Sequence, residues 1–281
     1  MRGIVRSLLT HRSLVRSFVA RDLRARYVGS TMGFFWSVIF PIVNLVVYMF
    51  VFRFLLNARF GDAMGPQETS IFMLAGILVW AAFAETLTRS TNCLVENANL
   101  IQKIVFPSEI LPVNLALSSV VNMLIGMPIV IIGIVLIARN PIGPAFALVP
   151  LLLLTQILFA VGLGYILATF NALWRDTFHL VGVGVQVWMF STPIFYPPEA
   201  VRLAPMPGTT GLVFPGVPIT FEWLLQINPM HWLIDSWRLV LLWGAPPDWS
   251  MFLRFAVISV LVFVAGAAFF QRNKRSFPDL L

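Results

Sequence analysis

Long apolar stretches, separated by short polar segments, run along most of this chain of 281 residues. Six of them, at residues 33–56, 70–88, 110–137, 145–172, 178–195 and 251–270, broadly reach the length of a membrane crossing. A hydrocarbon core of ~30 Å requires about 20 mostly apolar residues in a helix. The pattern predicts an all-α integral membrane protein with six transmembrane helices, of which 178–195 is the shortest.

Composition agrees with a membrane protein and disfavours a soluble one. Hydrophobic residues make up 59% of the chain and charged residues only 11%, against roughly 25% charged residues in a soluble domain. The alternative, in which some runs are buried helices of a globular protein, would need polar faces to cover them. Stretches such as Ile129–Ile137 offer no polar face.

Basic residues concentrate at the two ends of the chain. Seven of the 19 precede the first apolar run, and the tail 271–281 adds Arg272, Lys274 and Arg275. Because Lys and Arg gather in cytoplasmic segments, both termini are predicted to face the cytoplasm, which an even number of crossings also requires. Anionic membrane lipids, rather than nucleic acid, are the expected partner of the net charge of +7.

The N-terminal segment, residues 1–32, contains a predicted amphipathic helix. Within residues 12–27 an apolar face is surrounded by arginines, a pattern typical of a helix that lies in the cytoplasmic headgroup layer. The apolar face carries Leu14, Val15, Phe18, Val19 and Leu23. A simple membrane anchor fits this pattern, and so does a helix that contacts a partner and transmits its movement to the first span.

Two polar segments interrupt the apolar runs. Glu85–Pro112 is too polar for the bilayer, yet it contains the apolar pair Leu100–Ile101. The longest excursion, about 196–250, is rich in Pro and Gly and includes apolar segments at 221–227 and 230–243, both too short for a comfortable crossing. Such short apolar segments favour re-entrant outer helices between the fifth and sixth spans.

Little in the sequence is equipped for chemistry. The only lysines, Lys103 and Lys274, do not belong to a glycine-rich phosphate-binding loop, so we expect no ATP hydrolysis by this chain. The single cysteine, Cys93, and three scattered histidines give no metal-binding spacing. The middles of the apolar runs carry almost no charge, which disfavours ion coupling. We expect no catalytic residue, metal or bound cofactor, and energy supplied by a partner.

Four stretches of the sequence carry a resemblance to a known family. They are Arg21–Tyr27 followed by Gly33, Trp36 and Pro41; Asn99–Lys103 with Phe106, Pro107, Leu111 and Pro112; Ser191–Tyr196; and Asn228–Met230 with Arg238. By their order and their placement among the apolar runs, the chain resembles the membrane subunit of ABC-2 type ABC transporters. The branch it resembles in particular exports bacterial polysaccharides such as O-antigen, capsule or teichoic acid, and the resemblance covers nearly the whole chain.

The resemblance implies a half-transporter in the bacterial inner membrane. Two copies of the chain would form a homodimer docked on two separate ATPase subunits, which use ATP and Mg. A lipid-linked polysaccharide would pass along the interface between the two copies. A single transmembrane domain would occupy residues 33–270, with 1–32 and 271–281 in the cytoplasm.

The resemblance also implies roles for three groups of residues. Residues 95–104 would form the coupling helix that contacts the ATPase, with Leu100 and Ile101 in the buried contact and Glu96 and Lys103 at its polar rim. Phe221–Leu242 would form the outer helices that close the external end of the pathway. In full, the implied sets are Glu96, Asn97, Asn99, Leu100, Ile101 and Lys103 for coupling; Arg16, Phe18, Arg21, Leu23, Arg24 and Arg26 for the interfacial helix; and Pro193, Tyr196, Trp223, Asn228, Pro229 and Trp232 for the outer gate.

Aromatic residues are abundant and offer a candidate lining for the pathway. The chain has 25 Phe, nine Trp and four Tyr, and sugars stack on aromatic faces. Trp and Tyr also collect at bilayer interfaces for purely amphipathic reasons, which is the competing explanation. The candidate glycan-lining aromatics are Phe34, Phe35, Trp36, Trp188 and Phe190.

Two other functions stay open at the level of sequence. An ABC-2 exporter of a drug or a simple lipid would share every feature above, and only neighbouring genes for glycan synthesis would separate the two. A membrane enzyme acting on polyprenyl-linked sugars could use Glu199, Glu222 or Asp235 as acid or base. The spacing of Asp235 and Arg238 is more typical of a structural pair on a helix.

Overall fold

A computed structural model describes residues 2–26, 66–103, 106–138, 143–196 and 222–281. Nine further residues of the first apolar run are also described: Phe35, Trp36, Ile39, Ile42, Val43, Val46, Val47, Phe50 and Val51. Within these residues the secondary structure is entirely helical, as the sequence predicts.

The helices follow one another with short connections. They are α1 (Arg2–Thr10), α2 (Arg12–Ala25), α3 (Pro66–Glu96), α4 (Ala98–Lys103), α5 (Ile110–Gly133), α6 (Val149–Leu173), α7 (Thr177–Phe190), α8 (Glu222–Ile227), α9 (Pro229–Leu242), α10 (Trp249–Asn273) and α11 (Phe277–Leu280). A π-helical turn, Ile134–Ala138, extends α5. Short 3-10 turns, Pro144–Leu148 and Lys274–Ser276, precede α6 and α11.

Four helical segments are long and apolar enough to cross a membrane. They are Glu68–Glu96, Ile110–Leu136, Pro144–Leu173 and Trp249–Leu280, and they match four of the six predicted spans. The predicted span 178–195 contains only α7, whose 14 residues extend about 21 Å, less than the bilayer core. Most of the predicted span 33–56 lies outside the described residues.

The helices nearest the two termini pack at the same end of the bundle. Phe18 of α2 contacts Phe106, which follows α4, with 5.7 Å between ring centroids. Phe277 of α11 is buried in the same apolar cluster as Phe18 and Ile101 of α4. This arrangement agrees with the predicted even number of crossings, while the side of the membrane stays a prediction.

The α6 and α10 helices cross with their backbones in contact. A Cβ atom added at Gly266 would lie 2.1 Å from the carbonyl oxygen of Gly162, and one added at Gly162 would lie 2.6 Å from the backbone nitrogen of Phe263. Small residues allow such close approach between membrane helices, where van der Waals contact is the main attraction. The two glycines therefore fix how closely these two helices pack.

Some polar groups inside the bundle form hydrogen bonds between helices. Gln156 of α6 donates to the carbonyl of Val79 in α3 at 3.3 Å and accepts from the indole of Trp237 in α9 at 3.2 Å. Gln156 is 1% exposed, so these bonds replace water for its amide. One side chain thus connects three helices around the main apolar core.

Candidate functional site

The amphipathic helix predicted within residues 12–27 is present as α2. Its residue Phe18 is buried, and the guanidinium of Arg21 lies 4.2 Å from the centroid of that ring. The remaining predicted apolar residues, Leu14, Val15, Val19 and Leu23, are partly buried, whereas Arg16 and Arg24 are exposed. The helix and its inward face are confirmed, and its location in a headgroup layer stays a prediction.

Four charged side chains join α2 to α3. Arg89 donates to Asp22 from both terminal nitrogens of its guanidinium, from one of them at 3.0 Å, and also contacts Glu85 at 3.2 Å. Arg26 pairs with Asp22 at 3.3 Å and with Glu85. We call Asp22, Arg26, Glu85 and Arg89 the inner charge cluster. Each acid therefore contacts both arginines, and the cluster fixes the end of α2 against the side of α3.

The inner charge cluster lowers the pKa of Asp22. Burial alone would raise it, but hydrogen bonding and charge from Arg89, with the nearby charge of Arg26, outweigh burial. Of the four members of the cluster, only Arg26 was predicted from the sequence as a site residue. The available signal was the spacing of four residues within the Asp22/Arg26 and Glu85/Arg89 pairs, which suits neighbours on a helix.

A pocket of about 230 Å³ lies beneath α2, between α3 and α5. It is lined by Phe18, Asp22 and Arg89 together with the buried thiol of Cys93 and the carboxamide of Asn114. Phe18 covers this space from the α2 side, so release of α2 would uncover Cys93. The accessibility of Cys93 therefore indicates whether α2 is docked.

The predicted coupling helix is present as α4, a helix of six residues. Asn97 occupies the break after α3, where its side chain donates to the carbonyl of Cys93 at 2.8 Å and its own carbonyl accepts from the backbone of Leu100 at 3.0 Å. Exposed side chains near and on α4 are Glu96, Asn99, Gln102 and Lys103. The helix therefore presents a polar surface at the end of the bundle.

The two apolar residues of α4 face the bundle itself. Ile101 is buried, and Leu100 is partly buried against the same cluster, which includes Phe277 of α11. The sequence predicts that Leu100 and Ile101 form the buried contact with an ATPase. In the single chain Ile101 is already covered by its own chain, so it is not exposed to a partner. The surface that α4 leaves free is polar.

At the opposite end of the bundle, Asn228 organises the connection between α8 and α9. Its side-chain oxygen accepts from the backbone of Met230 at 3.0 Å and from the indole of Trp188 at 2.9 Å. Its amide donates to the carbonyl of Ser191 at 3.2 Å and the hydroxyl of Thr192 at 3.0 Å. Pro229, next in the chain, occupies the first turn of α9, where its missing N–H costs nothing.

Arg238 binds the same turn from further along α9. It is 1% exposed and donates to the carbonyls of Pro193 at 2.7 Å and Ile194 at 3.0 Å. It also reaches the carbonyl of Phe72 in α3, and its guanidinium lies 3.4 Å from the centroid of that phenyl ring. Asn228 and Arg238 thus hold the turn after α7 against α9, and we call Ser191–Ile194 the outer turn.

The structure brings together part of the predicted outer gate. Pro193 and Asn228 meet at the outer turn, while Trp232 is buried within α9. The hydroxyl of Tyr196 donates to the carbonyl of Phe190 at 3.2 Å, on the side of α7. The side chain of Trp223 lies outside the described residues. Sequence analysis named Arg238 as a motif residue but gave it no role, although a buried arginine requires several acceptors.

The candidate glycan-lining aromatics divide into two environments. Trp188 packs within the core, 5.3 Å from Phe83 and 6.0 Å from Trp80 between ring centroids. Phe35, Trp36 and Phe190 are exposed in the single chain, and Phe34 lies outside the described residues. Trp188 is thus partly buried against the core, and the lining role of all five residues stays a prediction.

A search for metal ligands within the described residues finds no group of three His, Cys, Asp or Glu side chains that could hold an ion. The charged groups of the inner charge cluster are paired with one another, and Arg238 is bound to main-chain carbonyls.

The described residues form a bundle of helices, four of which are long and apolar enough to cross a membrane, with a polar helix at one end and a fixed turn at the other. Comparison of the sequence with family models finds the ABC-2 type transporter, matched over residues 13–242. The chain belongs to the ABC-2 type transporter family.

Proteins of similar sequence align with almost the full length of the chain. The sequence is 26% identical over 276 residues to the O-antigen export system permease protein RfbA of Myxococcus xanthus, which covers 98% of both chains. It is 26% identical over 267 residues to proteins of the same name from Klebsiella pneumoniae, covering 93% of this chain and 92% of theirs. The family resemblance stated from the motifs is confirmed.

Proposed function

We propose that this chain is the membrane subunit of an ATP-driven exporter that moves a lipid-linked polysaccharide of the O-antigen type across the bacterial inner membrane. Two copies would form the pathway, and two separate ATPase subunits would bind ATP and Mg at the cytoplasmic side. Similarity over nearly the whole length to permeases of O-antigen export supports the cargo. The ATPase partner is inferred from α4, a helix at one end of the bundle whose exposed side chains are polar.

A movement of the ATPase would act first on α4 and would then be transmitted to α3. A partner that closes on nucleotide can move a membrane helix only through a rigid element in contact with both. The α3 helix is continuous over 31 residues, is fixed to α2 through the inner charge cluster and contacts Arg238 of α9 through Phe72. Movement of α4 would therefore reach both the interfacial helix and the outer turn.

A second copy of the chain would pack against α7. This helix contacts α3 and α6 on one side only, and none of its residues is fully buried in the single chain. Leu180 and Val183 are 71% and 64% exposed. A large unpacked apolar face suits a partner subunit, and the polysaccharide would pass beside it.

Purification of the tagged chain from its native membrane tests the proposal, with identification of the co-isolated subunit. An ABC ATPase is expected at one copy per copy of this chain. Gln102→Trp, on the exposed side of α4, should prevent ATPase recovery because the added bulk separates the two surfaces. Gln226→Trp places the same change on exposed α8 at the other end and should leave recovery unchanged. Equal recovery with both variants would contradict the role of α4.

Deletion of the gene tests the cargo. Loss of surface polysaccharide, with lipid-linked polysaccharide retained inside the cell, is the expected result, and it should be reversed by the intact chain. Unchanged surface polysaccharide together with sensitivity to a toxic compound would instead indicate export of a drug or a simple lipid. Glycosyl transfer by the purified chain without an ATPase would indicate a membrane enzyme.

A further inference from the structure

We propose that residues 274–281, which we call the α11 segment, form the ATPase-docking surface together with α4, and that this joint surface fits an acidic groove on the ATPase. The proposal rests on the proposed function and adds a second docking element to it. Three observations on the described residues carry it: the packing of α11 against α4, the attachment of the segment to the bundle, and the side chains that it leaves exposed.

The α11 segment is packed against α4 and is not a loose tail. Phe277 is fully buried, with its ring 5.0 Å from that of Phe270 in α10. It belongs to the same cluster as Ile101 of α4, and α11 and α4 are in direct contact. A partner that touches the free side of α4 therefore meets α11 beside it.

An ion pair attaches the start of this segment to the bundle. The ammonium of Lys274 lies 2.5 Å from the carboxylate of Glu109, which is buried just before α5. The backbone carbonyl of Glu109 accepts from the hydroxyl of Tyr165 at 2.9 Å. Glu109 also interacts with Ser7 of α1. The segment is therefore held in one position relative to α4 and α6, as a docking surface requires.

The exposed side of the α11 segment combines apolar and basic groups. Leu280 is 37% exposed, and its carbonyl accepts from the guanidinium of Arg175 at 3.4 Å. Trp174, in the turn between α6 and α7, is 67% exposed. The exposed charged groups near α4 and α11 are Lys103, Arg175, Arg272 and Arg275 against Glu96, Asp176 and Asp279.

Exposed Trp174 and Leu280, with four basic side chains and three acidic ones around them, match a protein partner with a hydrophobic centre and a rim that is more acidic than basic. The same surface continues over Gln102 and Lys103 of α4, so one partner can cover both elements. A basic surface with exposed apolar groups can also contact anionic lipid headgroups, and the experiment below separates this outcome from docking. The position of α11 against the polar α4 favours the ATPase.

Titration of the ATPase onto the purified chain in nanodiscs tests the proposal with two variants of the α11 segment. Arg275→Glu and Leu280→Asp alter exposed side chains only, so the fold should be retained. Each should weaken binding about tenfold, a typical loss for a contact at the centre of an interface. Arg254→Glu makes the same charge reversal at an exposed position in the other half of α10, and it should bind like the unaltered chain.

The outcomes separate this proposal from the proposed function. If Gln102→Trp abolishes binding while both α11 variants bind normally, the α11 segment is not part of the docking surface and the proposed function stands. If Gln102→Trp also binds normally, the proposed function fails at its own test. Loss of binding in the α11 variants and in Gln102→Trp supports the joint surface.

A fluorescent label on Leu280→Cys provides a second measurement, since the native Cys93 is buried. Addition of the ATPase should protect the label from a water-soluble quencher. Quenching by a lipid-bound nitroxide, unchanged by the ATPase, would overturn the proposal and assign the surface to the membrane.

Discussion

Arg238 donates a hydrogen bond to the main-chain carbonyl of Pro193 at 2.7 Å, in the interior of the bundle. The two residues are 45 positions apart, and the bond joins α9 to the outer turn. Because Arg238 also reaches Ile194 and Phe72, a single side chain connects α3, α9 and this turn. This end of the bundle therefore depends on one buried cation with several carbonyl acceptors.

Replacement of Arg238 by Met should destabilise the chain. The change keeps an unbranched apolar stem but leaves the carbonyls of Pro193 and Ile194 buried without their donor, at about 1–3 kcal/mol for each unpaired group. A fall in the thermal unfolding midpoint in detergent is expected. Arg254→Met, at an exposed position of α10, is the matched control and should change the midpoint little. Equal midpoints for the two variants would show that the Arg238 contacts contribute nothing.

Removal of Phe18 should uncover Cys93. Both residues line the pocket beneath α2, and Cys93 is the only cysteine in the chain. Phe18→Ala should raise the rate of maleimide labelling about tenfold, the change that ~1.4 kcal/mol of lost docking energy produces. Ser17→Ala, on the exposed side of α2, should label at the original rate. Slow labelling in Phe18→Ala would mean that α2 is not what protects this thiol.

Acidification should weaken the attachment of α2. The pKa of Asp22 is lowered in the folded chain from an ordinary value of 3.8, so its stabilising effect is complete above that value and is lost as the pH falls through the lowered value. Between pH 6 and pH 3 the unfolding midpoint should fall. Asp22→Asn should start from a lower midpoint at pH 6 and show a shallower fall, and parallel curves would count against the inner charge cluster.

Substitution at the α6–α10 crossing should separate these helices. Gly162→Ala places a methyl group against the backbone of α10, where no flexible side chain can move aside. Gly133→Ala on α5 meets only the side chain of Ile71, at 3.8 Å, and serves as the control. Thermal unfolding should show a loss of at least about 1–3 kcal/mol for Gly162→Ala, as for overpacking of a core, and almost none for Gly133→Ala. A similar midpoint for both variants would be evidence against backbone contact.

Long apolar runs could be predicted from the sequence because the bilayer sets the length of a crossing. The predicted runs 70–88, 110–137, 145–172 and 251–270 match helices of sufficient length and hydropathy. The run 178–195 is not confirmed as a crossing, because its helix ends at Phe190 and the chain then enters the outer turn. The residues after the helix, Ser191–Phe195, are apolar enough to be included in the run by composition. They include Pro193, which does not fit a helix interior.

Contacts between distant parts of the chain could not be predicted from one sequence. Asp22 and Arg89 are 67 positions apart, and Lys274 and Glu109 are 165 apart. No local pattern records such pairs. The inward side of α4 was also missed, since a helix of six residues has fewer than two turns and its periodicity does not define a face. The position of Ile101 depends on Phe277, which comes from the far end of the sequence.

The unbroken length of α3 has a mechanical consequence. Its 31 residues measure about 46 Å at 1.5 Å per residue, so a tilt of about 5° around its midpoint would displace each tip by about 2 Å in opposite directions. A small displacement of the Glu96 end of α3 would then produce a displacement in the opposite direction beside Phe72. Widening of the bundle at one membrane face would then accompany narrowing at the other.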